Sequence, residues 1–270
     1  MADKQIKLCI AGVCGRMGQR LLALAAADDA FIIAGAFERP DHPSVGQDIS
    51  VGVGSKEPII VSDDVARCIA DCDVLLDFTV PEATLAHLET AVEAQKAVVI
   101  GTTGFTDAQR ARLNDMAART PSVVASNMSL GVNLLFALAD DAARILGPDY
   151  DIEIVEAHHR FKKDAPSGTA RTLVEILAAR RGLDTNKDVR HGREGIVGER
   201  SADEIGVHAV RGGDIVGDHT VTFAGLGERI ELTHRAHSRD TFARGALRAA
   251  KFVVKQKPGI YSMQQVLGLK

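Results

Sequence analysis

The densest chemistry in the chain lies between Glu156 and Ala170, in the string EAHHRFKKDAPSGTA. Five potential cations (His158, His159, Arg160, Lys162 and Lys163) occupy six consecutive positions. Charges of one sign at this density repel one another unless an anion sits among them, so the cluster suits a dianionic ligand. Ser167-Gly168-Thr169 then opens a helix predicted to run through Ala178. The unbonded N–H groups of its first turn suit a carboxylate. Histidine, with an ordinary pKa of about 6.5, exchanges protons near neutrality. The plainer reading of the same charges is a solvated basic loop. Adjacent histidines also raise metal binding, with His234 and His237 as further donors, but no Cys or Asp/Glu completes a ligand set. No metal is expected.

A second constellation stands at the start of the chain. The apolar run Ile6 to Ala11 leads into Gly12-Val13-Cys14-Gly15-Arg16-Met17-Gly18, three glycines at three-residue spacing that open directly into a helical pattern. Glycines placed so let the backbone turn tightly and approach a pyrophosphate at the helix N-terminus. A second apolar run ends in Glu38, where a carboxylate would hold ribose hydroxyls, and Arg39 beside it could hold a 2′-phosphate. Together they predict a site that accepts NADH or NADPH. The plainer readings are a structural turn and a solvent-exposed ion pair. Gly101-Thr102-Thr103-Gly104, Ala125-Ser126-Asn127-Met128 and Phe78-Thr79 each follow a predicted strand, at the carboxyl ends where open α/β sheets place their ligands.

The elements that must position these groups change character along the chain. Short Val- and Ile-rich runs at Ile6 to Ala11, Phe31 to Phe37, Ile59 to Val61, Val74 to Phe78, Ala97 to Ile100 and Val123 to Ala125 read as strands buried on both faces. Helical patterns fall between them, at Met17 to Ala27, Asp63 to Ala70, Glu82 to Gln95 and Asp107 to Arg119, the last with a Thr106/Gln109 capping box. Pro81 sits where a first-turn proline is tolerated. Strand–helix alternation of this kind predicts a doubly wound parallel α/β sheet. After about residue 130 a helix from Val132 to Leu146 stops at Gly147-Pro148, and polar–apolar alternation appears at Asp151 to Ile154, His219 to Phe223 and Arg229 to Leu232. These stretches, with frequent glycine turns, predict a second α+β domain with a mixed sheet. Thr241 to Lys255 resumes an amphipathic helix.

Composition limits the function classes. At 270 residues, 46% hydrophobic and 25% charged, the chain has an ordinary globular make-up. A net charge of −4 without a long basic run argues against nucleic-acid binding. Cys9, Cys14, Cys68 and Cys72 form no C-x-x-C pair, no apolar leader is evident at the start, and no run reaches membrane-spanning length. A cytoplasmic protein with reduced thiols and no membrane contact is expected.

IAGVCGRMG, Glu38-Arg39, IGTTGF, ASNMSLGVN, EAHHRFKKDAPSGTA, GDIVGDHTV and RIELTHRA together resemble the dihydrodipicolinate reductase family over nearly the whole chain. The resemblance implies a Rossmann-type dinucleotide-binding domain from residues 1–130 and 240–270, with residues 131–239 forming the substrate-binding domain whose sheet assembles a homotetramer. It implies cofactor contacts from Gly12, Val13, Cys14, Gly15, Arg16, Met17, Glu38, Arg39, Gly101, Thr102, Thr103, Ala125, Ser126, Asn127 and Met128. It further implies His158 as proton donor and acceptor, Lys162 as assisting proton donor, and His159, Gly168 and Thr169 as holders of the substrate carboxylates. The activity implied is NAD(P)H-dependent reduction of the cyclic dicarboxylate (2S,4S)-4-hydroxy-2,3,4,5-tetrahydrodipicolinate to tetrahydrodipicolinate with loss of water, in the diaminopimelate route to lysine. Met128 stands where relatives often have Phe, and Cys14 replaces a common small residue, which bears on cofactor preference. The alternatives are another amino-acid-pathway dehydrogenase, of aspartate or homoserine type, and a dinucleotide-sensing regulator. The first would not be expected to carry the His-His-x-x-Lys and Ser-Gly-Thr arrangement, and the second would need a DNA-binding module.

Overall fold

The computed structural model describes residues 4–55 and 57–269. The chain forms two compact units, the first taking it up to Leu130 and again from Arg239, the second comprising Gly131–Ser238. Among the described residues, no helix is long and apolar enough to cross a membrane.

In the first unit, β1 (Ile6–Ala11), β2 (Phe31–Phe37), β3 (Val74–Asp77), β4 (Ala97–Ile100), β5 (Pro121–Val124) and β11 (Gly259–Tyr261) form one parallel sheet in the order β11-β5-β4-β3-β1-β2. The strands alternate between two apolar layers. Leu8, Ile10, Val74, Leu76, Ala97 and Val99 pack on one face with α1 (Arg16–Ala26), α7 (Asp240–Val253) and α8 (Met263–Leu267). Cys9, Leu75, Val98 and Ile100 pack on the other with α2 (Val65–Ala70), α3 (Pro81–Glu93) and α4 (Asp107–Ala117). Because both faces are covered, the strands read as continuous apolar runs, and each fully buried Leu or Ile contributes about 1.5–3 kcal/mol. The capping box at Thr106 forms as the sequence predicts, and Pro81 takes the first turn of α3.

Ile59 to Val61 departs from expectation. It is no sheet strand: Ile60 bridges Asp48 and Ser62 bridges Phe37, each as an isolated pair. Its main chain bonds to the 46–49 loop through Gly46, Gln47 and Ile49, and Pro58 ahead of it has no N–H to extend a ladder. Sequence reading also passed over β11 and α8, together with β7 and β8 described next.

The second unit holds a mixed sheet in the order β10-β9-β6-β8-β7, built from β6 (Asp151–His158), β7 (Val189–His191), β8 (Ile205–Arg211), β9 (Gly217–Gly225) and β10 (Glu228–Ala236). The β6/β8 and β7/β8 pairs are parallel, and β6/β9 and β9/β10 are antiparallel. Ile152, Ile154, Ile205, Val207, Val221 and Phe223 pack one face against α5 (Leu130–Leu146) and α6 (Gly168–Arg181). On the other face Val155 and Val210 are 40% and 47% exposed.

Candidate active site

Strand parity builds the centre of the second unit. Along β6 the core-facing positions are Ile152, Ile154, Glu156 and His158, so the stripe that packs the core ends in a carboxylate and an imidazole. Cross-strand pairing brings in two more groups of the same parity: His158 lies beside Arg211 on β8, and Glu156 opposite His219 on β9. Glu156 has no exposed side-chain surface and accepts four hydrogen bonds. Its Oε2 takes His158 Nδ1 and Arg211 Nη1, each at 2.7 Å; Oε1 takes Arg211 Nη2 at 2.8 Å and the Ser167 amide at 3.0 Å. Burial pushes the Glu156 pKa up, but Arg211, His158 and the Ser167 amide outweigh it and leave it below the ordinary carboxylate value. An ionised carboxylate can only accept, so His158 carries its proton on Nδ1 and directs Nε2 elsewhere. A Cβ added at Gly217 would sit 3.0 Å from that Nε2, so the glycine keeps the space before it open.

Burial lowers the His158 pKa, Glu156 opposes this, and the cations of Lys162 and Arg211 lower it further. His219 is driven down to about 3, first by burial and then by His158, and is neutral across the working range. Its Nε2 meets Ser167 Oγ at 2.9 Å, and its ring stands edge-on to His158. Ser167 caps α6 by accepting from the Ala170 amide at 3.2 Å. A Cβ at Gly168 would meet nothing within 4 Å, which leaves the first turn open to a ligand.

The basic loop is not the uncompensated cluster its composition suggests. Lys162 Nζ lies 2.9 and 3.0 Å from the two Asp164 oxygens, and Arg211 Nη2 donates to the Asp164 carbonyl at 2.8 Å. Glu156 and Asp164 thus balance part of the charge from within. His159 Nδ1 is buried without a hydrogen-bond partner among the described residues. Sequence reasoning did not single out Arg211, Gly217 or His219 as site residues. Arg211 and His219 share the parity of β6, a signal that becomes usable once strand pairing is known.

In the first unit the strand order changes direction between β1 and β3, which opens a crevice at the sheet's carboxyl edge. A cavity of about 620 Å³ there is lined by Gly12, Cys14, Gly15, Glu38, Arg39, His42, Thr79 and His87, among others. Gly12 adopts φ +61°, and a Cβ at Gly18 would fall 2.2 Å from the Gly12 carbonyl. The turn therefore exists only with glycine at both places. The Cys14 amide donates to Glu38 Oε1 at 3.0 Å, holding the carboxylate beside the turn. Arg39 pairs with Asp41 at 3.2 Å, both largely exposed. Cys14, Glu38 and His42 bring three donor atoms within 4.8 Å of one another. His42 Nδ1, however, already accepts the Ser44 amide, so its proton is on Nε2 and the trio reads as hydrogen-bonding groups.

Of the other predicted contacts, Gly101, Thr102 and Thr103 follow β4, and Ala125, Ser126, Asn127 and Met128 follow β5, on the same edge. Val13, Thr102 and Met128 turn their side chains inward, leaving only main chain for a ligand. Thr102 Oγ1 bonds Thr84 at 2.7 Å and Asp77 at 3.4 Å, and Asp77, itself buried, also holds His87 at 2.7 Å. Arg16 and Met17 begin α1, with Arg16 exposed.

A dinucleotide-binding sheet and a mixed-sheet unit whose central histidine is fixed by a buried carboxylate follow the plan of NAD(P)H-dependent oxidoreductases, and the chain is one of them. Residues 6–128 match the description "Dihydrodipicolinate reductase, N-terminus" and residues 131–267 "Dihydrodipicolinate reductase, C-terminus". The chain belongs to the dihydrodipicolinate reductase family. It is 52% identical over 266 residues to 4-hydroxy-tetrahydrodipicolinate reductase of Citrifermentans bemidjiense, covering 98% of this chain and 100% of that one. The dipicolinate-bound dihydrodipicolinate reductase of Paenisporosarcina sp. TG-14 superposes with a TM-score of 0.77 at 26% identity, covering 97% and 99% of the two chains. Aspartate semialdehyde dehydrogenase II of Vibrio cholerae shares the fold alone, with a TM-score of 0.58 at 12% identity over 94% of this chain and 99% of that one.

Proposed function

We propose that this chain reduces (2S,4S)-4-hydroxy-2,3,4,5-tetrahydrodipicolinate to tetrahydrodipicolinate with loss of water, in the diaminopimelate route to lysine. The observation that carries the proposal is His158, fixed through Nδ1 by a buried carboxylate and flanked by Lys162 and the open first turn of α6. The identity to the reductase of Citrifermentans bemidjiense supports the same substrate. The bound NADH or NADPH supplies the hydride. His158 Nε2 exchanges the proton with the substrate atom adjacent to the reduced carbon, and Lys162 assists as a second donor. His159, Gly168 and Thr169 hold the carboxylates: the buried His159 Nδ1 without a partner costs about 1–3 kcal/mol, and an anion that accepts from it relieves that cost, while the N-terminus of α6 favours a negative charge. On the first unit, Gly12, Val13, Cys14, Gly15, Arg16 and Met17 supply the turn beneath the pyrophosphate, and Glu38 and Arg39 face the ribose. Gly101, Thr102 and Thr103 with Ala125, Ser126, Asn127 and Met128 contact the nicotinamide end.

The test is direct. Incubation with NADH or NADPH and the condensation product of pyruvate and aspartate semialdehyde gives loss of reduced-nicotinamide absorbance; a flat trace with both cofactors rejects the assignment. We further propose that the chain works in the cytoplasm as a homotetramer, with the sheet face that carries the exposed Val155 and Val210 available for assembly. Light scattering would then return four times the 28.8 kDa chain mass.

A further inference from the structure

The four donors on Glu156 come from three separate places: His158 on its own strand, both guanidinium nitrogens of Arg211 on β8, and the Ser167 amide at the start of α6. Arg211 reaches on to the Asp164 carbonyl, in the loop where Asp164 holds Lys162. One buried ion pair thus ties together the proton-exchanging histidine, the lysine loop and the helix turn that faces the substrate. A buried carboxylate whose only task was packing would be replaceable by an apolar side chain of its size, often without loss of stability. This one spends every acceptor on a group of the site.

We propose that Glu156 and Arg211 are positioning residues of the reaction: Glu156 fixes the Nδ1–H tautomer of His158 and so presents Nε2 to the substrate, while Arg211 keeps Glu156 ionised and anchors the Lys162 loop. The proposal rests on the reading of His158 as the proton-exchanging group. The charged and titratable groups facing His158 are Glu156 on β6, Lys162 on the following loop, Arg211 on β8 and His219 on β9. Of these, Glu156 favours the imidazolium, and Lys162 and Arg211 oppose it.

Two variants with opposite signs test this. Glu156→Gln removes the anion and offers His158 an amide that can face it with a donor; kcat falls on the order of 10²-fold while KM changes a few-fold at most. The limb of the pH–rate profile that follows His158 moves to lower pH. Arg211→Met removes a cation, and the same limb moves to higher pH. The His158 titration, read from its imidazole Cε1–H signal in the protein without substrate or cofactor, shifts in the same two directions. A structural role alone would lower the melting temperature without moving the titration in opposite senses. An unmoved His158 titration in Glu156→Gln, or shifts of the same sign in both variants, overturns the proposal. Should Glu156→Gln fail to fold by circular dichroism, Arg211→Met decides alone, and an unmoved titration there overturns it. Wild-type protein that fails to oxidise NADH or NADPH would instead overturn the functional reading, with the titration still deciding the positioning claim.

Discussion

At the glycine turn and the loops after β4 and β5 the first unit offers a ligand main chain, whereas the second unit offers mostly side chains. Around the glycine turn the inward-facing side chains of Val13, Thr102 and Met128 leave peptide groups at the crevice, with Glu38 fastened to a backbone amide. In the second unit the groups gathered beside the core are an imidazole, an ammonium and a carboxylate, each held by another side chain. A cofactor with a fixed pyrophosphate can be read by a backbone shape that tolerates side-chain change. Proton transfer needs a particular atom at a particular pKa, which only side chains supply. Single substitutions should therefore cost turnover heavily in the second unit and shift cofactor affinity in the first, with glycines as the exception.

The largest effect expected is for His158→Gln, which lowers kcat by about 10²-fold or more with binding less affected; an unchanged kcat in steady-state assays removes His158 from its role. Gly18→Ala brings a methyl group within 2.2 Å of the Gly12 carbonyl. The turn must open, weakening dinucleotide binding by about tenfold in a fluorescence titration. Should affinity survive that change, the backbone account of the first unit fails. Gly217→Val crowds His158 Nε2, which Glu156 prevents from backing away, so kcat falls by roughly tenfold while dinucleotide affinity holds. Arg39→Ala is milder: NADPH affinity drops several-fold and NADH affinity does not, whereas equal weakening would show that Arg39 reads no phosphate.

A separate effect, on folding and not on turnover or affinity, is on stability against pH. His219 has a folded pKa of about 3, below its unfolded value, so the unfolded chain binds the extra proton between the two. Stability is then present above about pH 6.5 and declines as pH falls towards 3, by at most about 1.4 kcal/mol per pH unit for one proton. Thermal melts of His219→Gln should show a flatter decline between those limits, and a parallel decline would assign the loss to other groups.

Local chemistry made much of this legible without a structure. The glycine turn, the Thr106 capping box and the Ser167 helix start are signals confined to a few neighbouring residues, and each forms where it was read. Arg211 and His219 escaped because their place depends on which strands pair, at sequence separations of 55 from Glu156 and 52 from Ser167. The strand that carries Arg211 reads IGVHAVR, with glycine and histidine interrupting the apolar alternation, and so gave no clear period. The supposed strand at Ile59 to Val61 failed the other way: apolar content without room for a ladder.

The parity of β6 ties two fates together. Because Ile152 and Ile154 face the same way as Glu156 and His158, inserting or deleting one residue early in the strand would swing all four to the opposite side at once. The chain could not lose its chemistry by such a slip and keep its core. Errors of register here would be removed as misfolded protein before they could persist as a folded but inactive enzyme.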